Sequence, residues 1–173
     1  MHRSCRTLGT QSNLPSRSRS LAKNVLAKKL LQRYWRVTRG LTMGAQGAVI
    51  DADGRILLIR HTYHPGWHFP GGGVERMETA ESALRRELDE EAGVALTGDP
   101  ELFGIYANFR LFPSDHVALF VVRQWRQTRP PVPNFEIAEH GMFARDALPD
   151  DINPSTARRI AEIFDGTPRD PMW

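Results

Sequence analysis

Residues 67–94 read WHFPGGGVERMETAESALRRELDEEAGV. The stretch joins a glycine-rich segment, Gly71-Gly72-Gly73, to a segment with helical periodicity. Thr79 is placed to cap the first free amides of that helix, and Gly93 to end it in the left-handed conformation glycine adopts readily. Ala80, Ala83, Leu84 and Leu88 fall on one side and form the expected buried face. Glu87, Glu90 and Glu91 recur at i, i+3 and i+4, so they project from one side of the helix, with Asp89 among them. Like charges at that spacing repel, and the C-terminal end of a helix dipole disfavours anions. A sequence that accepts both costs implies a cation to neutralise them.

Outward from this stretch, the chain of 173 residues is long enough for one domain with a real core. Its 40% hydrophobic and 25% charged residues match a globular chain. The single cysteine, Cys5, excludes an intrachain disulfide framework and a cysteine-based zinc site. A reducing, cytoplasmic setting is the expectation. No apolar run approaches the roughly 18 residues of a membrane span. No secretory leader is expected either, because Lys23, Lys28, Lys29 and Arg33 interrupt the only candidate apolar segment.

The net charge of +3 conceals an asymmetry. Residues 1–40 hold ten of the 23 Lys and Arg and none of the 20 Asp and Glu, so thirteen basic face twenty acidic residues in the remainder. Residues 1–20 are rich in Ser and Arg and read as a disordered basic tail. Residues 21–40 read as an N-terminal basic helix packed on the domain or on a second subunit, with a weak contact between residues 21–37 and an anionic membrane surface as the other reading. Residues 41–173 form the expected folded domain. The oligomeric state is not legible in this pattern.

Within that domain, residues 45–50 and 55–60 read as strands, and Asp51-Ala52-Asp53-Gly54 between them as a hairpin turn. Residues 69–73 read as loop. Further strands are expected over 102–109 and 116–125, a stiff loop at Pro130–Pro133, and a return to the sheet over 135–143. The last helix has sharp boundary signals, Asn153 as N-cap, Pro154 at its first position and Gly166 past its end. Ile160, Ile163 and Phe164 would be its buried face. The alternation of strands with two helices predicts an α/β class.

Counted from Gly72, the chain runs through Glu78, Arg86-Glu87-Leu88 and Glu90-Glu91 to Gly93-Val94. This pattern resembles the signature box of the Nudix hydrolases at every fixed position. The resemblance extends over about residues 42–165 and implies a mixed β-sheet sandwiched between helices. It implies hydrolysis of a pyrophosphate bond in a nucleoside diphosphate linked to another moiety, with Mg²⁺ or Mn²⁺ as cofactor. Ligands that are all oxygen agree with such hard cations.

The resemblance also assigns roles. Glu87, Glu90 and Glu91, with the Gly71 carbonyl, would hold metal. Arg86 would orient a glutamate, and Glu78 would brace the loop and helix. Glu90 is also a candidate in the catalytic step. The general base would be a box glutamate or one from a later loop, Glu136 or Glu139, with Glu139 slightly favoured. Arg60, Gly72, Phe109 and Glu136 are candidate substrate contacts. Trp67 and Phe69 could stack on a base or belong to the core. His64 and His68 have a spacing that would suit a metal-binding helix, but Pro65-Gly66 between them forbids one, which also weakens a zinc reading that includes His61.

The partner implied is a nucleotide-type small molecule, with no stable nucleic-acid complex expected. Subfamily marks single out no one substrate. Phe109 stands where ADP-sugar members carry a proline, Leu111 where diadenosine-polyphosphate members carry a tyrosine, and Gly71 where RNA-end members carry a glutamine after Phe-Pro. The alternative is a nucleotide-sensing or RNA-binding module that uses the basic arm.

Overall fold

The order of elements alternates short strands with two helices, as the periodicity predicts. The computed structural model describes Tyr34, residues 40–110 and residues 112–173. The expected tail and basic helix lie outside the described residues apart from Tyr34 and Gly40. Strands are β1 (Thr42–Val49), β2 (Ile56–His61), β3 (Trp67–His68), β4 (Gly71–Gly73), β5 (Val94–Leu96), β6 (Glu101–Ala107), β7 (Asp115–Val122), β8 (Trp125–Gln127) and β9 (Ile137–Phe143). Helices are α1 (Ala80–Ala92) and α2 (Pro154–Asp165).

The strands form a mixed sheet in the order β4-β1-β7-β6, a smaller sheet β3-β2-β9, and a ribbon of β5 with β8. β1 and β7 run parallel over eight residue pairs, Thr42–Asp115 to Val49–Val122. Side chains alternate across these two strands, and the alternation separates two cores. Ala45, Val49, Ala118, Phe120 and Val122 pack with Ala83, Leu84, Leu88 and Ala92 of α1. Ala48, Ile50, Leu119 and Val121 face the other way, toward Phe69, Tyr106 and Ile160 of α2. The two helices therefore cover opposite faces, giving the α/β/α arrangement.

Two sequence readings change. The turn at Asp51–Gly54 forms, with Asp51 N–H donating to the Arg55 carbonyl at 3.0 Å and a bridge between Ile50 and Ile56. Beyond it the strands part, β1 into the four-stranded sheet and β2 into the smaller one, so the turn links two sheets rather than closing one hairpin. The Gly71–Gly73 segment, expected as loop, is a strand paired antiparallel with Gly44–Gln46. A side chain at Gly71 would stand 2.2 Å from the Ala45 carbonyl oxygen, and its φ is +141°. Only glycine fits there, so the residue that suggested a loop is what lets this strand approach.

The helix boundaries fall where the sequence places them. Thr79 Oγ1 accepts from the Ser82 amide, and Gly93 is left-handed at φ 62°. Asn153 caps α2 by accepting from the Ser155 and Thr156 amides.

Candidate active site

The box places its carboxylates by geometry that starts at the helix. The buried side of α1 lies on β1 so closely that a Cβ at Gly47 would meet Leu84 Cδ1 at 3.0 Å. This docking carries the other side of the last two turns to β4. Glu91 Oε2 accepts from the Gly71 amide at 2.7 Å, and the Glu87 carboxylate lies so near Gly72 that a Cβ there would be 2.4 Å from its oxygen. The glycines thus seat two helix carboxylates against a backbone strand.

Arg86 is the hub of the box. Its guanidinium donates to Glu78 at 3.0 and 3.1 Å, to Glu87 at 2.6 Å and to the Gly73 carbonyl at 3.1 Å. Its contact to Glu90 is longer, 3.5 Å, and Glu90 is exposed to solvent. Arg86 and the Glu75 amide hold the Glu78 carboxyl below the usual range. Glu91 has no Lys or Arg paired to it among the described residues; its one basic partner is His61, with Nε2 at 4.0 Å and a charged form that burial disfavours. Glu91 is 8% exposed, and burial, opposed only by the Gly71 amide and reinforced by Glu87, Glu136 and Glu90, pushes its carboxyl up to about 8. Burial also raises Glu87, against the pull of Arg86.

These groups line a cleft of about 1090 Å³, bounded by β1, β4, α1, the His61–His68 segment, Glu136 and the start of α2. Glu136 and Glu139 part company here. Glu136 lines the cleft and accepts from the Tyr63 hydroxyl at 3.2 Å. Glu139 sits in β9 opposite Arg60 and pairs with it at 3.5 Å, while its neighbour His140 points the other way and donates to the Glu91 carbonyl at 2.6 Å. Strand alternation makes those two directions exclusive, so the favoured Glu139 stands outside the cleft and Glu136 inside it.

Other expected contacts also move. Trp67 and Phe69 are buried in the core, with Trp67 edge-on to Phe143 at 4.8 Å, and neither offers a face to a base. Arg60 is held by Glu139 and, at 2.8 Å, by Asp151, and lies over the Trp67 ring. Phe109 is half exposed, edge-on to His116, in a smaller chamber beside the cleft. The His61, His64 and His68 rings cluster with centroids 5.8–6.4 Å apart, and burial lowers His61 and His68. His68 Nε2 is spent on the Pro65 carbonyl, and no group of three His, Cys, Asp or Glu among the described residues is arranged to hold a metal. The box carboxylates are likewise not gathered on one point: Glu78, Glu87 and Glu90 turn to Arg86, and Glu91 to the Gly71 amide.

The sequence reading missed the Tyr63, His140 and Gln46 contributions. Tyr63 and His140 are bonded to Glu136 and Glu91, and Gln46 Oε1 lines the cleft without a hydrogen-bond partner. No local pattern marks them, because Gln46 and His140 reach the site through strand pairing and Tyr63 through the loop that follows β2. No helix among the described residues is long and apolar enough to cross a membrane.

Three comparisons bear on this site. The chain is 40% identical over 67 residues to a MutT-like protein of Streptomyces ambofaciens, an alignment covering 39% of this chain and 43% of that protein. It is 35% identical over 88 residues to an 8-oxo-dGTP diphosphatase of Proteus vulgaris, covering 47% and 76%. The chain therefore spans less than half the length of the first relative. Its fold matches the crystal structure of a MutT Nudix hydrolase from Burkholderia pseudomallei with a TM-score of 0.62 and 26% identity, over 71% of this chain and 98% of that one. The family model of the NUDIX domain matches residues 41–163, which take in every strand, α1, most of α2 and all the box carboxylates, and the chain belongs to the Nudix family.

Proposed function

We propose that the protein hydrolyses a pyrophosphate bond in a nucleoside diphosphate derivative, using Mg²⁺ or Mn²⁺. One observation carries this reading: Glu91 is a buried carboxylate seated on the Gly71 amide, raised by the nearby Glu87 and Glu136, with no Lys or Arg paired to it among the described residues. A divalent ion relieves that cost, and the donor set of carboxylate and carbonyl oxygens fits a hard one. Glu87, Glu90, Glu91 and the Gly71 carbonyl would hold it. When bound, such an ion shields phosphate charge and acidifies water.

The chain's own residues supply the rest. Arg86 orients Glu78 and Glu87 through charge-assisted hydrogen bonds and favours the ionised form of Glu78. The absence of side chains at Gly71–Gly73 lets a diphosphate approach the backbone without a Cβ between them. His140 fixes the last turn of α1 through the Glu91 carbonyl. Glu136, within the cleft and oriented by Tyr63, is positioned to take the proton of an attacking water.

Purified protein assayed with Mg²⁺ or Mn²⁺ against nucleotide sugars, dinucleotides and nucleoside triphosphates is expected to cleave at least one class. Glu91→Gln should slow that turnover by on the order of a thousandfold. Glu136→Gln should cost on the order of a hundredfold, and Glu139→Gln little. Turnover indifferent to Glu91→Gln would overturn the assignment, and a larger loss from Glu139 than from Glu136 would reverse the choice of base.

A further inference from the structure

The cleft does not end at the carboxylates. At its other end it meets a second chamber of about 250 Å³, and Asn108, Arg110, Arg158 and Trp173 line both. Phe109 and Met172 complete the apolar part of the chamber. Its chemistry differs from that of the box. Two guanidinium groups stand with an indole, a phenyl ring and one carboxylate, Asp170, which accepts from the Met172 amide at 2.9 Å, and neither Arg110 nor Arg158 forms an ion pair among the described residues. Arg158 donates only to the Ser155 hydroxyl, at 3.1 Å.

The wall carrying Trp173 is built deliberately. Residues 170–173 lie along β6, with the Ala107 amide donating to the Pro171 carbonyl at 2.9 Å and the Trp173 amide to the Ala107 carbonyl at 2.8 Å. Arg159, fully buried in α2, donates to the Met172 carbonyl at 2.9 Å. The Trp173 ring is edge-on to Tyr106 at 5.7 Å. An aromatic side chain held this way keeps its position at little further entropic cost when a planar group stacks on it.

Resting on the hydrolase reading above, we propose that this chamber is a specificity subsite for a second nucleotide unit, a phosphate followed by a planar base. Arg110 and Arg158 would clasp the phosphate, for which forked guanidinium donors are suited. Trp173 and Phe109 would flank the base. The substrate class is then a nucleotide that continues beyond its first nucleoside. Two sources supply that chemistry, a dinucleoside polyphosphate and a 5′-triphosphorylated dinucleotide, and both exceed a nucleotide sugar in having an additional base at the far end.

Steady-state kinetics with Mg²⁺ on diadenosine tetraphosphate, 5′-triphosphorylated ApA and ADP-ribose test this. The exposed pair Arg110→Ala/Arg158→Ala should raise KM about tenfold for one or both of the two-base probes, with kcat little changed and ADP-ribose unaffected. Trp173→Leu should act in the same direction. The probe showing the Arg-dependent KM identifies the source. Equal shifts for all three probes, or no shift in any, would overturn the subsite. If wild-type protein cleaves none of the probes, the hydrolase reading is decided by its nucleoside triphosphate assay, and the subsite is judged separately by calorimetric binding of the same two-base probes in EDTA. There a tenfold weakening in the double-alanine protein supports it, and unchanged affinity refutes it.

Discussion

Glu91 and Glu162 are both buried, at 8% and 6% exposure, and their surroundings could hardly differ more. Glu162 is encircled by donors: Arg159 at 2.6 Å, the Tyr106 hydroxyl at 2.9 Å and the Asp170 amide at 3.0 Å. Arg159 in turn stacks over the Tyr106 ring, 4.2 Å from its centroid. Burial first, then the hydrogen bond to Glu162, pushes the Tyr106 hydroxyl up to about 12. Glu91 receives one amide hydrogen bond, has only His61 at 4.0 Å as a basic neighbour, with its charged form disfavoured by burial, and looks onto three other carboxylates. A buried charge with its partners supplied by the chain is a structural joint, here fastening residues 170–173 to α2. A buried charge whose partner the chain withholds is a binding site. The difference separates the working carboxylate from the structural one without reference to any motif.

Breaking each cluster should show this contrast. The largest effect is expected from pH on metal-free protein. Glu91 is raised from 4.5 to about 8 in the folded state. Below about pH 4.5 both folded and unfolded chains hold its proton, and the cost of burying the charge is absent. Between about pH 4.5 and about 8 the unfolded chain releases a proton that the folded chain keeps, so stability falls as pH rises, by up to about 1.4 kcal/mol per unit and about 5 kcal/mol in all. Urea unfolding in EDTA should show this slope in wild type and a flatter one in Glu91→Gln. Added Mn²⁺ should recover about 2.7 kcal/mol at a hundredfold excess over Kd in wild type alone. Parallel pH curves for the two proteins would dissolve the comparison.

The donor-rich cluster should break differently. Arg159→Met leaves Glu162 buried without its cation and should lower stability by at least about 3 kcal/mol. Arg159→Met with Glu162→Leu should recover much of that loss, because an apolar pair leaves no orphaned charge. Urea midpoints of the two proteins decide it, and a double variant no better than the single would show that packing, not charge, holds the joint. The smallest effect is expected from Tyr106→Phe. It removes one hydrogen bond while Arg159 and the Asp170 amide remain, so thermal unfolding should report a loss of about 1 kcal/mol.

What could be read in advance was local. Thr79, Gly93, Asn153-Pro154 and Gly166 mark helix ends because a cap depends on residues a few positions away. The side of α1 carrying Glu87, Glu90 and Glu91 follows from helical spacing alone. What could not be read was pairing. The Asp51–Gly54 turn was visible, but the divergence of β1 and β2 into separate sheets depends on β7 and β9, far along the chain. Glu136 and Glu139 look equivalent in sequence. Only the register of β9 on β2, which sets Glu139 opposite Arg60, decides which one enters the cleft. Arg158 and Arg159 are adjacent and identical in type, yet helix rotation sends one to the chamber and the other to the core.

The sequence by itself therefore determined the family, the two helices and the carboxylate triad on α1, because each is written in short-range spacing. The tertiary structure decided which carboxylate lacks a counter-charge, which loop glutamate faces it, and that two arginines and a tryptophan from separate segments share one chamber. Those are properties of the environment a side chain meets after burial, and burial is set by contacts between residues remote in the chain.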